Sequence, residues 1–176
     1  MNYMSPDNKW IGKPTIRPDG IEKVTGSAQY AADYTMPGMV WGKVLRSPHA
    51  HALIKKIDTS KAEALQGVLA VMTGADLPTL PLDVPLPTGP NDIRWISRGC
   101  MAQEKILYVG HPIAAVAATS QEIAIAALDL IEVDYEVLPH VIDVDEAVAP
   151  GAPILHDWIK TEGIDGPTNI SNIMTG

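Results

Sequence analysis

The sequence predicts an α+β domain: a mixed sheet of two β-α-β-like units (an α/β arrangement), helices packed on one side, and extended terminal arms. Three observations carry that class. Apolar runs of strand length alternate with short helical patterns between Met39 and Val148. The flanks, by contrast, are rich in Gly, Pro and polar residues. Hydrophobic residues make up 46% of the 176-residue chain and charged residues 19%, which supplies one buried core and argues against disorder. The organisation expected is an arm over 1–37, a domain over 38–148 and a tail over 149–176.

Each element follows from its local pattern. In the arm, Arg17-Pro18-Asp19-Gly20 and Met36-Pro37-Gly38 are turn signals. Met39 to Arg46 reads as a strand, with Val40, Gly42 and Val44 on one face and Met39, Trp41 and Leu45 on the other. Ala52 to Ile57 is a second strand. Ser60-Lys61-Ala62-Glu63 has capping-box spacing and opens a short helix that Gly67 ends. Val68 to Met72 is short and apolar enough for a buried strand. Leu77 to Pro90 holds five prolines and therefore neither a helix nor a central strand.

The second half repeats the grammar. Ile106 to Val109 and Ile113 to Ala118 read as strands. Ser120 caps a helix running to about Leu130, with Ile123, Ala124, Ala127, Leu128 and Ile131 on one stripe. Glu132 to Val137 alternates polar and apolar, the mark of a strand with one wet face. Asp145 to Val148 forms a last helical turn. With no Phe in the chain, aliphatic side chains and Ala must fill the core.

Charge and cysteine usage exclude several functions. The net charge of −8 repels a phosphate backbone and an anionic membrane surface, and no Lys/Arg cluster offsets it. One cysteine, Cys100, leaves no internal disulfide and no multi-thiolate cluster; it reads as a partly buried small apolar residue. Met1 to Trp10 lacks the blocks of a signal peptide, and no apolar run nears the roughly 20 residues that span a bilayer. The expected location is the cytoplasm.

Few residues offer chemistry. His49 and His51 share a face of an extended chain, a spacing that suits a metal, but no third ligand sits nearby in sequence. A turn-forming connection with hydrogen-bonding imidazoles explains them better. Gly110-His111-Pro112 could hide a catalytic histidine, although a sharp strand junction accounts for it equally well. Glu132, Asp134 and Glu136 fall on the wet face of their strand and read as solvated. No phosphate-binding or nucleophile-elbow motif is present. Catalytic, cofactor-binding and metal residues are therefore all expected to be none.

Five strings go further. They are Asp19 to Asp33 (DGIEKVTGSAQYAAD), Gly42 to Ala52 (GKVLRSPHAHA), Ile57 to Ala62 continued by Gly67 to Val71, Tyr108 to Ala118 (YVGHPIAAVAA) and Val133 to Pro139 (VDYEVLP). In this order they resemble the N-terminal α/β hammerhead domain of molybdenum hydroxylase large subunits. That is the family of xanthine dehydrogenase, aldehyde oxidase and 4-hydroxybenzoyl-CoA reductase. The resemblance covers residues 12 to 157.

The resemblance implies a molybdopterin-dependent hydroxylase or dehydrogenase. Such enzymes insert a water-derived oxygen at carbon or, in a reductase branch, remove an aromatic hydroxyl. It implies no cofactor on this chain. Molybdopterin-molybdenum, a 2Fe-2S cluster and often FAD are expected on partner chains: a molybdenum-domain polypeptide, an iron–sulfur subunit and an FAD subunit. In that family the cofactor loops and the catalytic Glu lie beyond the hammerhead domain. The chain is thus expected to be a non-catalytic structural component, a split subunit or a fragment. The loop before Val109-Gly110-His111 lies near the family's substrate entrance, which makes Arg94 and Trp95 candidates to line a substrate funnel. Arg would attract an anion and Trp would stack on a planar ring. The alternatives are a free-standing binding or assembly module with no redox role, and a metal-dependent hydrolase acting through His49 and His51.

Overall fold

The computed structural model describes residues 10–78, 96–157 and 161–174. The chain divides into two compact units, Met1–Met39 and Val40–Gly176. In the first, the expected turn at Asp19 opens a short helix, α1 (Gly20–Thr25), closed by Gly26 in a left-handed conformation. Asp19 accepts from Arg17 Nε at 2.9 Å and from Lys23 Nζ at 2.6 Å. These partners, Arg17 foremost, hold its carboxyl below the ordinary value. Both pairs are exposed and add little stability.

The second unit contains β1 (Trp41–Arg46), β2 (Ala52–Asp58), α2 (Ser60–Glu63), β3 (Val68–Thr73), α3 (Ile96–Cys100), β4 (Lys105–Ile106), β5 (Pro112–Ala118), α4 (Gln121–Leu128), β6 (Glu132–Val137) and α5 (Val144–Ala147). The α+β class stands, but the strands do not share one mixed sheet. They form two three-stranded sheets, ordered β1-β5-β3 and β4-β2-β6, and every pairing is antiparallel. Among the described residues, consecutive strands alternate between the sheets. Parallel neighbours need a crossover of about a dozen residues or more, and the link carrying α2 is shorter than that. Both β-α-β-like units, β2-α2-β3 and β5-α4-β6, begin in one sheet and end in the other.

Small side chains set the packing. Helices α2 and α4 lie against the β1-β5-β3 sheet. Ala114, Val116 and Ala118 of β5 are buried, as are Ala62 of α2 and Ala124 and Ala127 of α4. Alanine on both sides lets helix and sheet approach closely, which is how a core without Phe closes. A second cluster joins Ala52, Ala102, Ile106 and Ile113, and Ile57 and Val133 pack against both clusters.

Local signals were met with two adjustments. Ser120 caps α4 as expected, its Oγ accepting from Ile123 N at 3.2 Å. Ser60, however, already lies inside α2, where its hydroxyl cannot reach the free N–H groups. Asp58 accepts from Ser60 N at 3.2 Å and Ser60 Oγ at 2.6 Å instead. Those bonds and Lys56 hold the Asp58 carboxyl far below its ordinary range. The strand expected over 106–109 stops at Ile106, because a turn closed by His111 N on Tyr108 O at 3.1 Å bends the chain away. Cys100 is exposed on α3 rather than partly buried.

The tail is folded. Asn169 Oδ1 accepts from Leu155 N at 2.9 Å, while its Nδ2 donates to Ala147 O at 2.9 Å and Pro153 O at 3.0 Å. Thr161 and Thr168 are buried, and the Thr161 hydroxyl donates to Ile170 O.

Candidate functional site

The turn expected around His49 and His51 is present, and the His51 imidazole makes a hydrogen bond. Ser47 is buried and its Oγ accepts from His49 N at 3.0 Å, shaping the turn that carries both rings. His49 meets Tyr135 edge-on, with ring centroids 4.9 Å apart. His51 turns inward, its Nδ1 2.7 Å from Pro139 O. The two rings thus serve different neighbours. Among the described residues no group of three His, Cys, Asp or Glu side chains comes together that could hold a metal ion.

His111 is fully buried at the junction between β4 and β5. Gly110, at φ +86°, makes the sharp turn that a side chain would strain. The carbonyl of Arg98 accepts from His111 Nε2 at 2.9 Å, so Nδ1 is the acceptor and takes Leu107 N–H at 3.2 Å. Both nitrogens are satisfied by the neutral ring, and burial pushes its pKa down. Tyr108 stacks on it at 4.5 Å and donates to Gly99 O at 3.2 Å. His111 and Tyr108 therefore fasten the carbonyls of α3. Arg94 and Trp95, the residues proposed for the funnel, lie outside the described residues. Glu132 and Glu136 occupy the exposed face of β6 and pair with Lys61 and Lys55.

A cleft of about 630 Å³ opens where four distant segments meet. Ala50 and His51 precede β2, Leu107 to Val109 form the turn after β4, and His140 to Ile142 follow β6. The fourth wall is α5 and the tail, through Ala147, Leu155, His156 and Asn169. The walls are mostly aliphatic, with three imidazoles among them. His51 is 5% exposed, and its Nε2 is buried with no hydrogen-bond partner among the described residues. Pro139 O can only accept, so Nδ1 carries the proton and Nε2 of the neutral ring is a bare acceptor. An unmet buried acceptor costs about 1–3 kcal/mol. Burial first, then Lys105, lowers the pKa of His156. Local patterning could not reveal this cleft; the scattered histidines were its only trace.

The described lining brings no Lys or Arg side chain to the cleft. A phosphate-bearing pterin calls for cationic or convergent N–H donors. The cleft does not fit such a cofactor. Among the described residues no helix is long and apolar enough to cross a membrane.

Fold and site together define a two-sheet α+β domain with a largely aliphatic cleft among its described residues. Residues 25–139 match the a/b hammerhead domain of the family described as aldehyde oxidase and xanthine dehydrogenase, and the chain belongs to that family. It is 44% identical over 150 residues to the carbon monoxide dehydrogenase large chain of Afipia carboxidovorans, covering 85% of this chain and 18% of that one. It is 34% identical over 172 residues to the nicotinate dehydrogenase large molybdopterin subunit of Eubacterium barkeri, covering 97% of this chain and 36% of that subunit. A crystal structure of the Cu,Mo-CO dehydrogenase in its carbon monoxide reduced state matches with a TM-score of 0.68 and 36% identity, over 85% of this chain and 18% of that one. The chain thus spans about a fifth to a third of the length of these relatives.

Proposed function

We propose that this chain is a non-catalytic structural component of a molybdopterin-dependent hydroxylase or dehydrogenase, working in the cytoplasm and packing against the domains that hold molybdenum. The observation that carries this reading is the match of nearly the whole chain to a minor share of relatives named as large or molybdopterin subunits. The role of a scaffold agrees with His51 and His111, whose rings hydrogen-bond backbone carbonyls. Molybdopterin-molybdenum, a 2Fe-2S cluster and, in some complexes, FAD sit on its partners. The test is a native pull-down of the chain from its own cells, with metal analysis and mass spectrometry. Molybdenum, iron and a larger polypeptide co-purify; a chain that emerges alone and metal-free overturns the reading.

Arg94 and Trp95 line the substrate funnel in this proposal. Support comes from α3, which starts at Ile96 and is fastened through Arg98 O and Gly99 O to His111 and Tyr108. An Arg94→Ala, Trp95→Ala double variant of the assembled complex loses turnover. Unchanged turnover removes the funnel from the account.

A further inference from the structure

We propose that the His51 cleft is the seat for an aromatic side chain bearing an N–H or O–H, a tryptophan or tyrosine, supplied by the molybdenum-binding polypeptide. This rests on the reading above and names the surface through which the partner docks.

Four features point to this occupant. The walls are largely aliphatic and present no Lys, Arg, Asp or Glu among the described lining residues, so a charged group is unwelcome. Nε2 of His51 is a buried acceptor that lacks a donor, so a purely hydrocarbon guest leaves it unsatisfied. Tyrosine and tryptophan combine a large apolar body with one neutral donor, which is why they gather at buried interfaces. Two lining residues are exposed aliphatics, Ile142 at 91% and Val109 at 66%, and such surface favours a polypeptide cover over a small solute.

The relatives are long enough to supply such a cover. More than four-fifths of the carbon monoxide dehydrogenase large chain lies outside the segment this chain matches. The cleft's tail wall is pinned in place by the three hydrogen bonds of Asn169.

The test places a photo-cross-linking amino acid at Ile142 in the full chain, expressed in its own cells, with Ile125 on α4 as the exposed control. Cross-links from position 142 join a tryptophan- or tyrosine-containing peptide of the molybdenum-binding polypeptide, and position 125 gives at least tenfold less. Co-purification of that polypeptide without a cross-link at 142, or with equal yield at 125, overturns the cleft while leaving membership of the complex intact. No co-purification overturns both. A cross-link to a second copy of this chain, or a small molecule released from the purified chain, also overturns the proposal. An Ala147→Trp variant fills the cleft from within. If its circular dichroism is native, recovery of the partner falls at least tenfold; wild-type recovery refutes the docking.

Discussion

Replacing Asn169 with alanine removes three hydrogen bonds that bind the tail to α5 and to the stretch around Leu155. The lost partners are Leu155 N, Ala147 O and Pro153 O, at 2.9, 2.9 and 3.0 Å. A neutral hydrogen bond contributes about 0.5–1.5 kcal/mol net. All three partner residues are only partly buried, so water can replace some of what is lost and the sum falls near the low end, about 2 kcal/mol. At about 1.4 kcal/mol per tenfold, local opening should become about 30-fold more frequent. Hydrogen exchange followed by mass spectrometry reads this directly: the peptide holding Leu155 exchanges about 30-fold faster, while peptides of β5 keep their protection. Asn169→Asp sharpens the test. It keeps the acceptor for Leu155 N–H but points a carboxylate at two carbonyl oxygens, so at pH 7 its tail exchanges faster than that of the alanine variant. Exchange at Leu155 within about twofold of wild type would refute the claim that Asn169 holds the cleft wall.

Three further outcomes are expected. At Gly74 a Cβ would sit 2.3 Å from Ala102 O, in a backbone whose N–H bonds Pro112 O at 2.8 Å, so Gly74→Ala costs about 2–3 kcal/mol. That lowers Tm by about 5–10 °C, and a melt within 2 °C of wild type contradicts the packing described. Burial lowers the pKa of His111 below that of the unfolded chain, so its contribution is present above about pH 6.5 and is lost as pH falls through the folded value. Urea midpoints should therefore fall between pH 7.5 and 5, with a shallower decline in a His111→Gln variant; equal slopes exclude His111 as a source. Asp143 accepts from Asp145 N and Glu146 N at 2.9 and 3.2 Å, so Asp143→Ala loses about 1 kcal/mol, measurable by urea titration and absent if α5 is held by packing alone.

Local chemistry was readable residue by residue. Ser120 announced α4, the alternation from Glu132 announced β6, and both appear where expected because each depends on neighbours a few positions away. The partition into two antiparallel sheets was not readable: nothing in the apolar run Ile113 to Ala118 says whether Val44 or Ile54 will pair with it. Ser60 read as the cap of α2, but the helix already includes it, and Asp58 accepts from its N–H and hydroxyl instead. The cleft eluded the sequence for a stronger reason. Its lining comes from residues near 50, 108, 141, 147, 155 and 169, and no window of the chain contains more than a fraction of it. The paired imidazoles of His49 and His51 drew attention as a ligand pair, yet the informative fact was the single carbonyl of Pro139 that fixes one ring's proton.

The strict alternation of strands has a consequence for how the molecule comes into being. β1 waits for β5, pairing Trp41 with Ala118, and β2 waits for β6, pairing Ala52 with Val137. Neither sheet can close on a nascent chain until most of the domain has left the ribosome, and contacts so remote in sequence fold slowly. Until then the apolar edges stand unpaired and open to aggregation. Nor is there a place to shorten the domain: deleting β1 strips a strand from one sheet, deleting β6 strips one from the other, and an excision between them breaks both.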